Sequence, residues 1–174
     1  MLSTDPLGKE LALYMLPASC VLRLATAADD VFLEQLHASS RDDLRLSGLD
    51  DAVLLPLLRM QHRVQLAGMR QQYPDAVHWI VVLDGAPAGR LVVDADGDTL
   101  RVIDIAVLPA MRRRGVARAA LQGLQQAAHR QGKSITLGVT RNNVAARALY
   151  LGLGFRVTSA DELFEQMAWE GTGG

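Results

Sequence analysis

Three arginines followed by small residues, Arg112-Arg113-Arg114-Gly115-Val116-Ala117, stand between an apolar run ending at Pro109 and an alanine-rich helical pattern. Cations are disfavoured at a helix start, by about a few tenths of a kcal/mol each, because the macrodipole is positive there and backbone N–H groups lack partners. A bound anion reverses that sign. Gly115 and Ala117 leave room for a ligand at the backbone, so the stretch reads as a polyphosphate site held by main-chain N–H groups. It lacks the second glycine, Lys and Ser/Thr of a Walker A loop and the three spaced glycines of a Rossmann fingerprint. A solvated arginine patch is the plain alternative.

A second constellation, Asn143-Val144-Ala145-Ala146-Arg147-Ala148-Leu149-Tyr150, runs into Gly152-Leu153-Gly154-Phe155. Asn143 can cap a helix and the glycines can end it. Tyr150 taken alone reads as an amphipathic ring filling a helix–sheet junction. Its placement adds a second reading, because parallel strands each followed by a helix bring both helix N-termini to one sheet end, where ligands bind in open α/β folds.

The elements that position these motifs follow from periodicity. Val21 to Leu24 alternates as a strand, and Ala27 to about Ser39 sets Val31, Leu33 and Leu36 near helical spacing. A second helix is expected from about Asp51 to Gln72 around an interior Pro56, ending before Pro74. His78 to Leu83 and Gly89 to Val93 read as antiparallel strands joined by the turn Asp84-Gly85-Ala86-Pro87. Asp94 to Asp98 then leads into a β-branched strand from Thr99 to Leu108. A helix from Arg114 to Gln131, a strand from Ser134 to Val139, a helix from about Val144 to Leu151, and strands near Phe155 to Val157 and Phe164 to Trp169 complete the order. Residues 21–170 read as one domain, between an N-terminal extension at 1–20 and a tail at 171–174.

Together the two motifs resemble the GNAT superfamily of N-acetyltransferases, over nearly all of the chain from Val21 to Trp169. Arg112-x-x-Gly115-x-Ala117 is similar to the family's Q/R-x-x-G-x-G/A pyrophosphate loop and follows a strand ending Ile105-Ala106-Val107-Leu108-Pro109. Asn143-x-x-Ala146-x-x-Leu149-Tyr150-x-x-x-Gly154-Phe155 is similar to the family's N-x-x-A-x-x-L-Y-x-x-x-G-F element. The resemblance implies an α/β (α+β) fold: a mixed, twisted, mostly antiparallel sheet flanked by helices, whose two central parallel strands splay apart to admit acetyl-coenzyme A. It implies pyrophosphate contacts at Arg112, Arg113, Arg114, Gly115, Val116 and Ala117, mostly through main chain. It also implies pantetheine contacts at the backbone of Ile105, Ala106 and Val107, a contact from Asn143, and Tyr150 pointing toward the thioester sulfur.

The chemistry sets the remaining roles. A neutral amine attacks a thioester carbonyl, negative charge gathers on its oxygen, and coenzyme A departs. A backbone N–H at Val107 can face that oxygen, and oriented donors of this kind are worth roughly 3–4 kcal/mol in other enzymes. Tyr150 can offer its hydroxyl to the sulfur. With reference pKa values of about 10 for Tyr and about 8.5 for a thiol, full transfer from an ordinary phenol is uphill by about 2 kcal/mol, so a strengthened hydrogen bond serves as well as protonation. Asp104, alternating in direction with Ile105, is the candidate base, directly or through water, with the anchoring of a neighbouring loop as the other reading. His78 is a further candidate base, whereas His37, His62 and His129 show no metal-ligand spacing. Asp42, Asp43, Asp50 and Asp51 can attract a cationic amine, or form a solvated loop with Arg41 and Arg45.

Composition excludes other classes. The 174 residues carry 18 Lys+Arg against 19 Asp+Glu, a formal net charge of -1, which leaves no broad basic footprint for nucleic acid. No apolar run approaches the ~20 residues of a membrane span. The single Cys20 precludes an internal disulfide and points to a cytoplasmic setting. Leu11 to Leu16 is apolar, but Asp5 and Glu10 replace the positive n-region of a signal peptide. Thr4 or Asp5 before Pro6 can instead cap a short helix. The expectation is an acetyl-coenzyme A-dependent N-acetyltransferase working by direct transfer in a ternary complex, with an unidentified amine as acceptor and no metal, nucleic-acid or membrane partner. A non-catalytic acyl-coenzyme A-binding or regulatory module is the alternative, and a homodimer through the late strands stays open.

Overall fold

Aliphatic and β-branched residues dominate the chain from Val77 to Val107, and only long paired strands bury so many of them while satisfying their backbone groups. The computed structural model describes residues 15–16, 19–41, 44 and 46–171. In order these form β1 (Met15–Leu16), β2 (Cys20–Leu24), α1 (Asp30–Ser39), α2 (Asp51–Gln72), β3 (Val77–Leu83), β4 (Ala86–Asp96) and β5 (Thr99–Val107). There follow α3 (Val116–Gln131), β6 (Ser134–Thr140), α4 (Val144–Gly152), β7 (Arg156–Ala160) and β8 (Phe164–Glu170). The strands make one sheet in the order β1-β2-β3-β4-β5-β6-β8-β7. Every neighbouring pair is antiparallel except β5 and β6, which are parallel.

Helix α3 packs one stripe, including Ala119, Ala120, Leu124 and Ala127, into the main core with Leu91, Val93, Leu100 and Ile135. Small alanines let the helix approach the sheet closely. Arg90 and Val92 alternate with Leu91 and Val93 and so point to the opposite face, where α1, packed on α2, meets β4.

Two irregularities in β5 shape the site. Its parallel ladder with β6 holds only three pairs, Thr99↔Ser134, Leu100↔Ile135 and Arg101↔Thr136, after which the strands part. The expected splay is present. On its other edge, Val92 pairs with Asp104 and Val93 with Val102, leaving Ile103 opposite no residue. This bulge shifts the alternation: Leu100 and Val102 face the core before it, and Ile105 and Val107 pack there after it. Asp104 and Ala106 therefore turn to the opposite face.

Several expected boundaries move. Only Asp84 and Gly85, both at positive φ, turn the first hairpin. Pro87 lies inside β4 beside a register shift, where its missing N–H is tolerated. Strand β4 runs on to Asp96, and β5 stops at Val107 rather than Leu108. Helix α3 begins at Val116, not Arg114, because Arg113 (φ 60) and Gly115 (φ 79) take left-handed conformations that interrupt it. Strand β7 lies a little further along than expected, at Arg156–Ala160, while β8 starts at Phe164 as expected and runs one residue longer. Met15, Leu16 and the buried Cys20 belong to the sheet, although the sequence leaves them in the extension. Thr4, Asp5, Pro6, Glu10 and Leu11 lie outside the described residues. No helix among the described residues is long and apolar enough to cross a membrane.

Candidate active site

The loop after β5 is set by its backbone. Gly115 caps α3 from the left-handed region, and the first helical bond runs from the Ala119 N–H to the Gly115 carbonyl at 2.8 Å. The N–H groups of residues 116–118 are consequently left without intrahelical acceptors. Arg112 Nε donates to the Val107 carbonyl at 3.2 Å, tying the loop to the end of β5. Arg114 turns away, its Nη2 3.0 Å from Oδ2 of the exposed Asp84. At the parallel position, Asn143 caps α4 by accepting from the Ala146 N–H at 3.2 Å.

A cleft of about 670 Å³ opens between these two helix starts. It brings together Ile105, Ala106, Val107, Arg112, Arg113, Gly115, Val116, Ala117, Asn143 and Tyr150, so of the residues expected at the cofactor only Arg114 does not line it. Leu36 and Ser39 of α1, with Ser40 just after it, close one side. The phase of the ladder explains the open backbone. The Leu108 N–H donates to the Ala88 carbonyl at 2.9 Å, and hydrogen-bonded pairs alternate along antiparallel strands. Ile105 and Val107 therefore direct their backbone groups away from β4, into the gap left by β6, where the Val107 carbonyl is the one that Arg112 Nε meets. Gly89 is a further residue the sequence did not single out: a Cβ there would lie 2.5 Å from the Ala106 carbonyl oxygen.

Asp104 lines a smaller cavity of about 230 Å³ within the splay, together with Tyr150 and Asn143. Its Oδ2 accepts from Arg90 Nε at 2.8 Å and lies 2.6 Å from Arg90 Nη2. Asp104 thus anchors a neighbouring strand rather than a loop. Arg90 is buried, at 5% exposed, and its only signal in the sequence is a lone charge in an apolar run. Tyr150 is buried against Phe155, ring centroids 6.0 Å apart. Burial, and then the negative charge of Asp104, push its phenol above the usual tyrosine value, so it is protonated at neutral pH.

The remaining candidates fall elsewhere. His37 on α1 and His62 on α2 meet as a tilted pair, ring centroids 5.1 Å apart, a pairing invisible in their spacing. His37, His62 and His78 are all held below the ordinary imidazole value, mainly by burial, with Arg90 adding to it in each case. His78 is across from Val92, which is across from Asp104, so it stands two strands from the splay. Asp50 caps α2, accepting from the Ala52 N–H at 3.2 Å, and Asp51 is the first residue of that helix. Asp42, Asp43 and Arg45 lie outside the described residues. Among the described residues, no three His, Cys, Asp or Glu side chains come together as metal ligands.

Known proteins are similar to this chain in sequence or in fold. Over 116 residues the chain is 30% identical to N-acetylaspartate synthetase of Rattus norvegicus, a match covering 63% of this chain and 39% of that protein. The chain thus spans about two fifths of the length of the relatives it matches. Among solved structures, the PaiA N-acetyltransferase of Thermoplasma acidophilum in complex with coenzyme A superposes with a TM-score of 0.66 at 15% identity, covering 87% of this chain and 99% of that one. The ribosomal-protein-S18-alanine N-acetyltransferase of Escherichia coli gives 0.58 at 19% identity, covering 87% and 93%. Both share the fold. The model of the acetyltransferase (GNAT) family matches residues 50–155, a span that holds the bulged strand, the arginine loop and the Asn143–Tyr150 helix, and the chain belongs to that family.

Proposed function

We propose that this protein transfers the acetyl group of acetyl-coenzyme A to an amine by direct attack in a ternary complex. One observation carries the reading: a single cleft joins the open N-terminal amides of α3, beside Arg112 and Arg113, to the unpaired edge of β5 and the buried phenol of Tyr150. The cleft fits the cosubstrate chemically. Helix-start amides and two arginines suit a diphosphate, and an unpaired strand edge suits the amides of a pantetheine arm. Acetyl-coenzyme A supplies an activated acyl group and a sulfur leaving group.

In this reading the N–H groups of residues 116–118 hold the diphosphate, and backbone groups of Ile105 and Val107 hold the arm. The Val107 N–H faces the carbonyl oxygen as charge gathers on it. Asp104 takes a proton from the amine, directly or through water, while the nitrogen–carbon bond forms and the carbon–sulfur bond breaks. Tyr150 donates its hydroxyl hydrogen to the departing sulfur. Its raised pKa keeps that proton in place at neutral pH. Asn143 positions the start of α4 beside the arm through its cap. The buried free thiol of Cys20 suits a reducing, cytoplasmic setting.

The experiment is release of free coenzyme A thiol from acetyl-coenzyme A across a panel of amino acids, polyamines and peptide N-termini. Acceptor-dependent release is expected for one class. Tight acetyl-coenzyme A binding without release for any amine would make the protein a binding module.

A further inference from the structure

We infer that the apex of the splay binds a carboxylate of the acceptor, which makes the acceptor an amino acid or short peptide rather than a polyamine. The inference rests on the acetyl-transfer reading above and names its substrate class. The last pair of the parallel ladder is Arg101↔Thr136, and where β5 and β6 part beyond it lies a cavity of about 310 Å³. Arg101, Thr136, Gln72, Tyr73 and Gln166 line it, giving a guanidinium, two carboxamides and two hydroxyls around one space.

Two of these groups are left incompletely satisfied. The Thr136 Oγ1 is buried and has no hydrogen-bond partner among the described residues, an unfavourable state for a hydroxyl unless a ligand satisfies it. Arg101 makes no ion pair within 4.0 Å among the described residues. A planar guanidinium beside hydrogen-bond donors is the arrangement that receives a carboxylate. The glycine at 138 contributes as well: a Cβ there would come within 3.2 Å of Gln166 Nε2, so its absence lets the amide lie across the strand. Asp94 stands opposite Arg101 on β4, its carboxyl held above the ordinary value by burial and then by Asp96 and Asp75, with Arg101 partly offsetting them, so the apex is not a diffuse positive field. Selection comes from the guanidinium and its neighbouring donors.

The cavity continues toward the reaction centre. It shares Val102, Ile103, Leu137 and Gly138 with the cavity that holds Asp104 and Tyr150. Arg101 and Asp104 are three residues apart, about 10 Å along a strand. The long Arg101 side chain can cover part of that span, and an acceptor that carries its amine and carboxylate a few bonds apart the rest.

The test compares L-aspartate and glycylglycine with their carboxamides, by steady-state kinetics and by calorimetric titration into protein saturated with coenzyme A. The free carboxylates are expected to show KM values at least ten-fold below those of the carboxamides. Arg101→Gln should bring that ratio to about one while acetyl-coenzyme A affinity holds. Thr136→Val should raise the carboxylate KM without lowering Tm. Equal use of carboxamides, preference for diamines, or an Arg101→Gln variant that affects acids and amides alike would overturn the inference. If no amine is turned over, the acetyl-transfer reading fails, and the titration still decides the subsite: glycylglycine binding that Arg101→Gln removes supports it, and no binding to the unaltered protein overturns it.

Discussion

Arg90 Nη2 lies 2.6 Å from Asp104 Oδ2 across two neighbouring strands, and the cation of this pair is almost wholly withdrawn from solvent. A buried guanidinium needs a counter-charge, and Asp104 provides it while its side chain, 25% exposed, borders the splay cavity with Tyr150. One carboxylate therefore carries both strand anchoring and the proposed proton transfer.

Asp104→Asn separates these duties. It should cost about 2–3 kcal/mol of stability, because Arg90 keeps a hydrogen-bond acceptor but loses its charge partner. Turnover should fall at least ten-fold with acetyl-coenzyme A affinity unchanged. Since the Asp104 charge raises the Tyr150 pKa, removing it should also lower the pH at which that phenol ionises. Calorimetry, kinetics and ultraviolet titration read the three effects. Loss of stability with full turnover of the folded fraction would confine Asp104 to the ion pair.

Tyr150→Phe should keep the fold and coenzyme binding, since the ring that meets Phe155 remains. Turnover with saturating acceptor should drop about ten-fold or more, at or somewhat below the usual range for an acid–base group. Wild-type turnover, with chemistry shown to be rate-limiting by pre-steady-state measurement, would leave Tyr150 as a packing residue.

Gly115→Glu should abolish acetyl-coenzyme A binding in a calorimetric titration. The position sits at φ 79, so any side chain is strained by about 1 kcal/mol or more, and a carboxylate there opposes the diphosphate. Gly115→Ala should bind measurably, more weakly than wild type. Unchanged binding by the glutamate variant would remove the loop from the site.

Away from the cleft, Asp29 accepts from Arg23 Nη1 at 2.8 Å and Nη2 at 2.7 Å, and also from the Thr26 N–H at 2.8 Å. The Arg23 hydrogen bonds are the main cause of its carboxyl falling to about 2. A depressed carboxyl stabilises the fold above its unfolded value of about 3.9, and that contribution disappears as pH falls toward the folded value. Asp29→Asn should thus lose about 1–2 kcal/mol at pH 7. The difference from wild type in denaturant unfolding should shrink between pH 4 and pH 2. A constant difference across that window would assign the effect to packing.

The sequence by itself determined the two ends of the cleft. The arginine loop with Gly115, and Asn143 before an apolar helix ending in glycines, are caps and turns whose conformations depend on residues a few positions apart. Periodicity likewise marked α2 from Asp51 to Gln72 and the order of strands and helices. Only the tertiary structure decided what faces what. The unpaired Ile103 turns Asp104 toward Arg90, fourteen residues away. The ladder stops at Arg101↔Thr136, thirty-five residues apart, and the cavity there also takes in Gln166. Strand register is a property of pairs of distant segments, and a one-residue shift exchanges the two faces of a sheet. No local pattern encodes that shift, so the cap residues were legible in the sequence and the partners of Asp104 were not.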